Sequence, residues 1–467
     1  MRGMKTVICL VLAVLLAVTA GVREPAKTEE EHMADTAWHF GFAKRQIAAD
    51  ESRLNKLYIA GYRNGVGITG ILDLCEARAV WLDAEGEGIL LIGVDCIALD
   101  SGTVASIREG LSDLPGCARV NVYSTHTHAG PDTLGLWGRI GSNGKDAAYM
   151  NDLIAAAVQA GREAATNVKA ATLHYGKVKT GGMYRDSRTP EVYDENLYQL
   201  RFSALDQSAG LRLLFYGAHA ESLRGDNTLL SRDYPGRLCD SVKDLTGDDA
   251  MFFPGAVGGL IMTRLFVSDA SRQAVENMRV TADKLTAYAL SVRPEDEREL
   301  EPALKWTSLD FTVPLDNPVF MAYRFMGILN SRAVPAQSAT GMGVRSELGI
   351  IMLDDAALVL IPGEIFPELV SGEAYARANP DGVNPRPLKE IAAGYGLNEF
   401  MIVGLCNDEL GYIVPPSDFL LNEKRPYIDR ITDSRGEDHY EETNSVGPAC
   451  AQCIADAFEL ALQQLFE

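Results

Sequence analysis

Apolar, β-prone runs alternate with helix-period segments along almost the whole chain, and this alternation constrains the fold more than any other feature. Residues 77–82 and 89–97 are two such runs joined by a turn-rich stretch, 83–88, and predict a hairpin entering a core sheet. Asp100 or Ser101 then caps a helix reaching about Leu111. Residues 120–124 read as a strand, 147–167 as a long helix, 197–202 and 211–216 as two strands around a turn, and 272–290 as a helix. The polar, proline-flanked stretch 293–301 is the best internal boundary, yet both patterns resume on either side of it. The order is mixed, without a strict βαβ period. The expected class is therefore α/β: a single large domain of mixed β-sheet or sheets covered by helices, with functional groups at the strand ends.

Composition narrows the function. A chain of 467 residues with 47% hydrophobic and 23% charged residues can bury a sizeable core, which excludes disorder and fibrous classes. The formal net charge of −21, with no compensating basic patch, excludes nucleic acid as a partner. Residues 1–20 carry Arg2 and Lys5, an apolar run from Val7, and small residues at Val18 and Ala20, the pattern of a signal peptide. Residues 21–40 then read as a linker and 41–467 as the folded domain. That places the protein outside the cell or in its envelope, with no stable membrane span once the segment is removed; a start at Met33 would instead leave it in the cytoplasm. The seven cysteines after Cys9 form no disulfide framework, and Cys450-x-x-Cys453 on a helical pattern reads as packing.

Gly65-Val-Gly-Ile-Thr-Gly70 satisfies the dinucleotide pattern, but a hairpin follows it where a crossover helix should, so it reads as a glycine-rich loop near the site. The chemistry concentrates in Val122-Tyr-Ser-Thr-His126-Thr-His128-Ala-Gly-Pro-Asp132, where an apolar strand runs into two histidines. On extended backbone, positions i and i+2 point the same way, so both imidazoles are expected to face one site. Zinc needs about four N, O or S ligands, and other strand ends offer candidates: His219 after 213–216, Glu364 after 358–361, and Tyr412 after 400–405.

These residues carry a resemblance to the catalytic domain of the neutral/alkaline, non-lysosomal ceramidases, which are zinc-dependent amidases. It rests on Ser124-Thr-His-Thr-His-Ala-Gly-Pro131, Gly217-Ala-His219 with Ser231-Arg-Asp-Tyr-Pro-Gly236, Phe253-Pro-Gly-Ala-Val-Gly-Gly259, Pro362-Gly-Glu364 and Asn407-Asp-Glu-Leu-Gly-Tyr412. The resemblance implies Zn2+ held by His126, His219, Glu364 and Tyr412, with His128 in the site but off the metal. It also implies Tyr440 near the reacting carbonyl and Arg185 facing the substrate, with Arg188 close enough to be confused with it. Two departures stand out. Gly259 occupies a position that is commonly acidic in the family, and the chain stops about where the family's immunoglobulin-like domain begins.

The implied activity is hydrolysis of an N-acyl amide of ceramide or another N-acyl lipid by zinc-activated water. His128 would move the water's proton, while Tyr440 and Arg185 would hydrogen-bond the developing oxyanion. A metallohydrolase of the same scaffold acting on a peptide, a cell-wall amide or an ester is the alternative; a non-catalytic ligand-binding protein is a further one.

Overall fold

The computed structural model describes residues 37–467 apart from 50, 85, 268, 270 and 271. The expected signal segment and all but the end of the expected linker lie outside the described residues. Strand β1 (Trp38–Gln46) already begins inside that linker stretch, because Trp38 and Phe40 are core side chains and the Trp38 indole donates to the Leu300 carbonyl at 2.9 Å. Trp38–Glu467 is one compact unit.

Among the described residues, the first sheet contains β1 with β2 (Glu76–Asp83), β3 (Gly88–Val94), β4 (Cys117–Ser124), β5 (Val168–Lys179), β6 (Asn196–Ala204), β7 (Leu211–Tyr216), β8 (Asp249–Pro254) and β9 (Arg298–Leu300). Its order is β8-β7-β6-β5-β1-β2-β3-β4, with β9 also paired to β5. The two edge pairs, β3–β4 and β7–β8, are parallel and the interior pairs are antiparallel. Parallel neighbours need a crossover. Helix α1 (Ser101–Gly110) supplies one, capped by the Asp100 carboxylate accepting from Thr103 N at 2.9 Å. Helix α3 (Asp233–Thr246) supplies the other, while α2 (Ala147–Ala164) and α4 (Ala274–Ser291) pack beside them.

The second sheet contains β10 (Leu304–Pro314), β11 (Ala333–Pro335), β12 (Met342–Leu353), β13 (Ala356–Leu360) and β14 (Glu399–Val403), in the order β10-β12-β13-β14 with β11 on β12. Helix α5 (Pro318–Phe325) and the terminal α6 (Cys450–Phe466) complete this half. Stretch 293–301 is no boundary: its last residues form β9 in the first sheet, and the chain enters the second immediately afterwards.

Side chains alternate between two cores. On β2 and β3, Ala77, Ala79, Trp81, Leu90 and Ile92 face the helices, whereas Val80, Leu82, Ile89 and Leu91 face the other sheet. On β12 and β13, Ile351, Leu353, Leu358 and Leu360 meet them there, while Ile350, Ala357 and Val359 join α6 in a third core. The result is two sheets face to face with helices outside, so central strands are buried on both faces and read as continuous apolar runs. No helix among the described residues is long and apolar enough to cross a membrane. Cys450 and Cys453 are free thiols at the start of α6.

Candidate metal centre

The site forms where the two sheets are tied together. Asn407, just past β14, donates its backbone N–H to the Val122 carbonyl at 2.7 Å and accepts from Val122 N through Oδ1 at 2.9 Å. Ser124 N donates to the Leu405 carbonyl at 3.2 Å. The chain therefore leaves β4 alongside a segment of the second sheet. At His126 the backbone turns left-handed, φ 65°, a conformation that costs a non-glycine residue on the order of 1–2 kcal/mol. The extended geometry expected to align the two histidines is thus absent. His126 and His128 converge through a turn instead, ring centroids 4.8 Å apart and planes at 90°.

His219 follows β7, the other edge region of the first sheet, and its backbone N–H donates to the Ile261 carbonyl at 2.8 Å. The second sheet supplies Glu364 and Tyr412, which face each other across a two-residue parallel ladder beyond β13 and β14. Gly411 makes that ladder possible. Its φ is +79°, and a Cβ there would lie 1.9 Å from the Asn444 carbonyl oxygen.

Three imidazoles and one carboxylate meet at this point. The nitrogens of His126, His128 and His219 form a buried triad that can hold a metal ion, their ligand atoms within 4.8 Å of one another. Glu364 Oε2 is 2.9 Å from His219 Nε2 and 3.4 Å from His126 Nε2, which in turn is 3.3 Å from His128 Nε2. Neighbouring ligands of a tetrahedral zinc, at ~2.0–2.1 Å from the ion, stand roughly 3.3 Å apart. The ring orientations fit as well. His126 Nδ1 donates to the Ile97 carbonyl at 2.7 Å and His219 Nδ1 to the Ile261 carbonyl at 2.9 Å. Each therefore turns an Nε2 lone pair inward, the usual second contact of a metal-binding histidine.

The charges agree with a cation site. Burial alone would raise the Glu364 carboxyl, but His126 and His219 hold it below the ordinary range. Burial, then His126 and His219, keeps His128 well below its ordinary value and hence neutral. Tyr412 is raised well above a free phenol by burial and then by Glu364, so it retains its proton. Glu409, which sequence reasoning passed over inside the Asn407–Tyr412 motif, adds a carboxyl to the wall, raised by burial and then by Glu364.

A cavity of about 70 Å³ opens on this cluster; His126, His128, Glu364, Tyr412 and Tyr440 line its polar side, and Leu134, Leu136, Trp137, Phe320 and Leu329 its apolar side. Burial, then Glu364, pushes the Tyr440 phenol up to about 12, and the Arg430 guanidinium lies 4.5 Å from the ring centre. A larger groove of about 420 Å³ contains none of these residues.

Neither arginine lines the cavity. Arg185 is exposed, on a two-residue strand paired with Met262. Arg188 is buried in a carboxylate cage, Nη1 on Asp418 at 2.8 Å and Nη2 on Glu441 at 2.7 Å and Glu442 at 3.0 Å. At Gly259, φ is +78° and the Asp186 carboxylate lies 3.5 Å from where a Cβ would stand, so an acidic side chain would be both strained and repelled. Of the glycine-rich loop, Gly65 N binds the Trp137 carbonyl at 2.8 Å, and it is the preceding Gly61 that reaches the cavity.

No family model and no curated protein matches the sequence. Solved structures do. Neutral ceramidase from Pseudomonas aeruginosa superposes with a TM-score of 0.69 at 17% identity, covering 92% of this chain and 75% of that one. The chain has the neutral ceramidase fold. A ceramidase structure described as complexed with C2 gives the same TM-score of 0.69 and the same coverage, at 16% identity. The histidine triad, which could hold a metal ion, thus lies at strand ends of this fold.

Proposed function

We propose that this protein is a zinc-dependent amidohydrolase that uses water to split an N-acyl amide, of ceramide or another N-acyl lipid, into a carboxylic acid and an amine. The observation that carries this reading is the convergence of two Nδ1-anchored imidazoles, His126 and His219, with the Glu364 carboxylate. Tyr412, beside Glu364 across the ladder, is the fourth ligand in this reading. The shared fold supports the amide class, and the apolar wall from Leu134 to Trp137, with Phe320 and Leu329, supports an acyl chain as the group bound.

Zinc, if held by His126, His219, Glu364 and Tyr412, would supply Lewis acidity and acidify a water toward neutral pH. The chain's own groups do the rest. His128, buried and uncharged, accepts the water's proton at Nε2 and returns it to the departing amine nitrogen. Tyr440, protonated across the neutral range, donates its hydroxyl hydrogen to the carbonyl oxygen as negative charge builds there. The apolar wall excludes bulk water from the acyl side. Arg185 has no role in this scheme, because it lies outside the cavity lining.

The test is a hydrolysis panel on purified, zinc-loaded protein: short- and long-chain ceramides, N-acyl amino acids, peptides and simple esters, each with and without a chelator. Release of fatty acid from the N-acyl lipids, lost on chelation and restored by zinc, is the expected result. Chelator-insensitive turnover, or turnover confined to esters or peptides, would overturn the proposal.

A further inference from the structure

The three histidines differ at Nδ1. For His126 and His219 that nitrogen meets a backbone carbonyl, whereas the Nδ1 of His128 is buried with no hydrogen-bond partner. The nearest acidic oxygen is Glu221 Oε2, at 3.8 Å. Glu221 is itself buried, and its other oxygen, Oε1, also lacks a partner. Two orphaned polar atoms thus sit on facing side chains, each orphan carrying a cost of about 1–3 kcal/mol that a modest rotation would remove.

The surroundings hold this pair together. The His128 backbone N–H donates to the Ala220 carbonyl at 3.0 Å, and Thr127 bridges Ala220, so the segments bearing His128 and Glu221 run side by side. Tyr62 donates its hydroxyl to Glu221 Oε2 and sets its ring edge-on to the His128 imidazole, centroids 5.2 Å apart. Gly61 gives the imidazole its room: φ there is +103°, and a Cβ would come within 2.4 Å of His128 Nδ1. Tyr62 thereby fixes the carboxylate while the adjacent glycine lets the ring approach it.

A neutral imidazole carries one proton. Placed on Nε2, it would point at His126 Nε2, a lone pair already committed to the centre, and would leave bare Nδ1 facing a carboxylate. Placed on Nδ1, it satisfies Glu221 and leaves the Nε2 lone pair toward the cavity. We infer that Glu221, held by Tyr62, is the positioning residue for His128: it accepts the Nδ1 proton, fixes the tautomer and aims Nε2 at the water to be deprotonated. This rests on the amidase reading for its consequence but not for its geometry. Glu221 acts on the reaction only through His128.

One set of measurements separates the two. Long-range 1H–15N correlation spectra of the zinc-loaded protein report the tautomer of each of its seven histidines, with the His128 signals assigned by their loss in His128→Ala. Nδ1–H is expected for His128 in the wild type and in Glu221→Gln, whose amide oxygen still accepts. A mixed tautomer is expected in Glu221→Leu, and a partial shift in Tyr62→Phe. On the amide substrate, Glu221→Leu should lower kcat about 10–100-fold with KM and zinc content unchanged, Glu221→Gln should restore most of it, and Tyr62→Phe should add nothing in the Glu221→Leu background. Wild-type His128 carrying its proton on Nε2, or Glu221→Leu leaving both tautomer and kcat untouched, would overturn the inference. Absence of any amide turnover would refute the amidase reading alone, since the spectra decide the role of Glu221 without it.

Discussion

Replacing Arg188 by methionine tests how the loop carrying Tyr440 is held. Arg188 is 3% exposed and meets Asp418, Glu441 and Glu442, none more than 3% exposed; Asp418 keeps Arg435 at 2.9 Å and Glu442 keeps His439 at 2.6 Å, so the carboxylate the substitution strands is Glu441. Removing one partner of a buried ion pair costs about 3–5 kcal/mol. Unfolding entropy near 2.1 cal/mol/K per residue over about 430 folded residues makes 4 kcal/mol a shift of only about 4–5 °C in Tm, so urea titration is the better assay. The pH dependence gives the sharper test. Burial already raises the Glu441 carboxyl despite Arg188, and losing the guanidinium raises it further. A raised folded value means that the protonated form is the stable one, so stability is retained at low pH and lost as pH rises through that value. Arg188→Met should therefore be several kcal/mol below wild type at pH 8 and much closer to it at pH 5, with kcat reduced as the turn after Tyr440 loosens. A deficit under about 1 kcal/mol, or one independent of pH, would refute the reasoning.

Three further outcomes are expected. His126→Ala and His219→Ala should each lose bound zinc and turnover by metal analysis and assay, whereas His128→Ala should keep zinc and lose about 10²-fold or more in rate. Glu368 and Asp186, which burial and then other groups raise to about 8 and about 7, favour the protonated folded state and destabilise it as pH climbs through those values; Glu368→Gln should raise Tm at pH 8 and leave it unchanged at pH 5. If the proposed amidase activity holds, the net charge of −21 should make hydrolysis of detergent-dispersed N-acyl substrate far faster than that of the same substrate in anionic vesicles, and added salt should narrow the gap.

Much of the scaffold was legible because burial on both faces leaves an unmistakable mark: residues 77–82, 89–94, 211–216 and 400–403, in β2, β3, β7 and β14, carry at most one polar side chain each. The strand ends that bring His126, His219 and Glu364 together were legible for the same reason, since a polar side chain buried at the end of such a run costs free energy unless a partner satisfies it. Local geometry was not. Nothing in Ser124-Thr-His126 announces a left-handed residue, because that turn is imposed by Leu405 and Asn407, some 280 positions downstream. Glu221 went unread for a related reason: its meaning comes from Tyr62, 159 positions away. Arg185 and Arg188 could not be told apart because a step of only three positions leads from an exposed strand to a charged cage formed by 418 and 439–442.

The junction at Asn407 also bears on how the molecule comes into being. Its amide and side chain close a contact with Val122 across 285 positions, so the first sheet can be synthesised and paired while Glu364 and Tyr412 are still unmade. Three histidines then wait without their carboxylate, and contacts of such sequence separation form slowly because loop closure must precede them. On the proposed metal reading, uptake should accordingly be a late event in biogenesis, and loading kinetics on a refolding chain would report the moment at which the two halves lock.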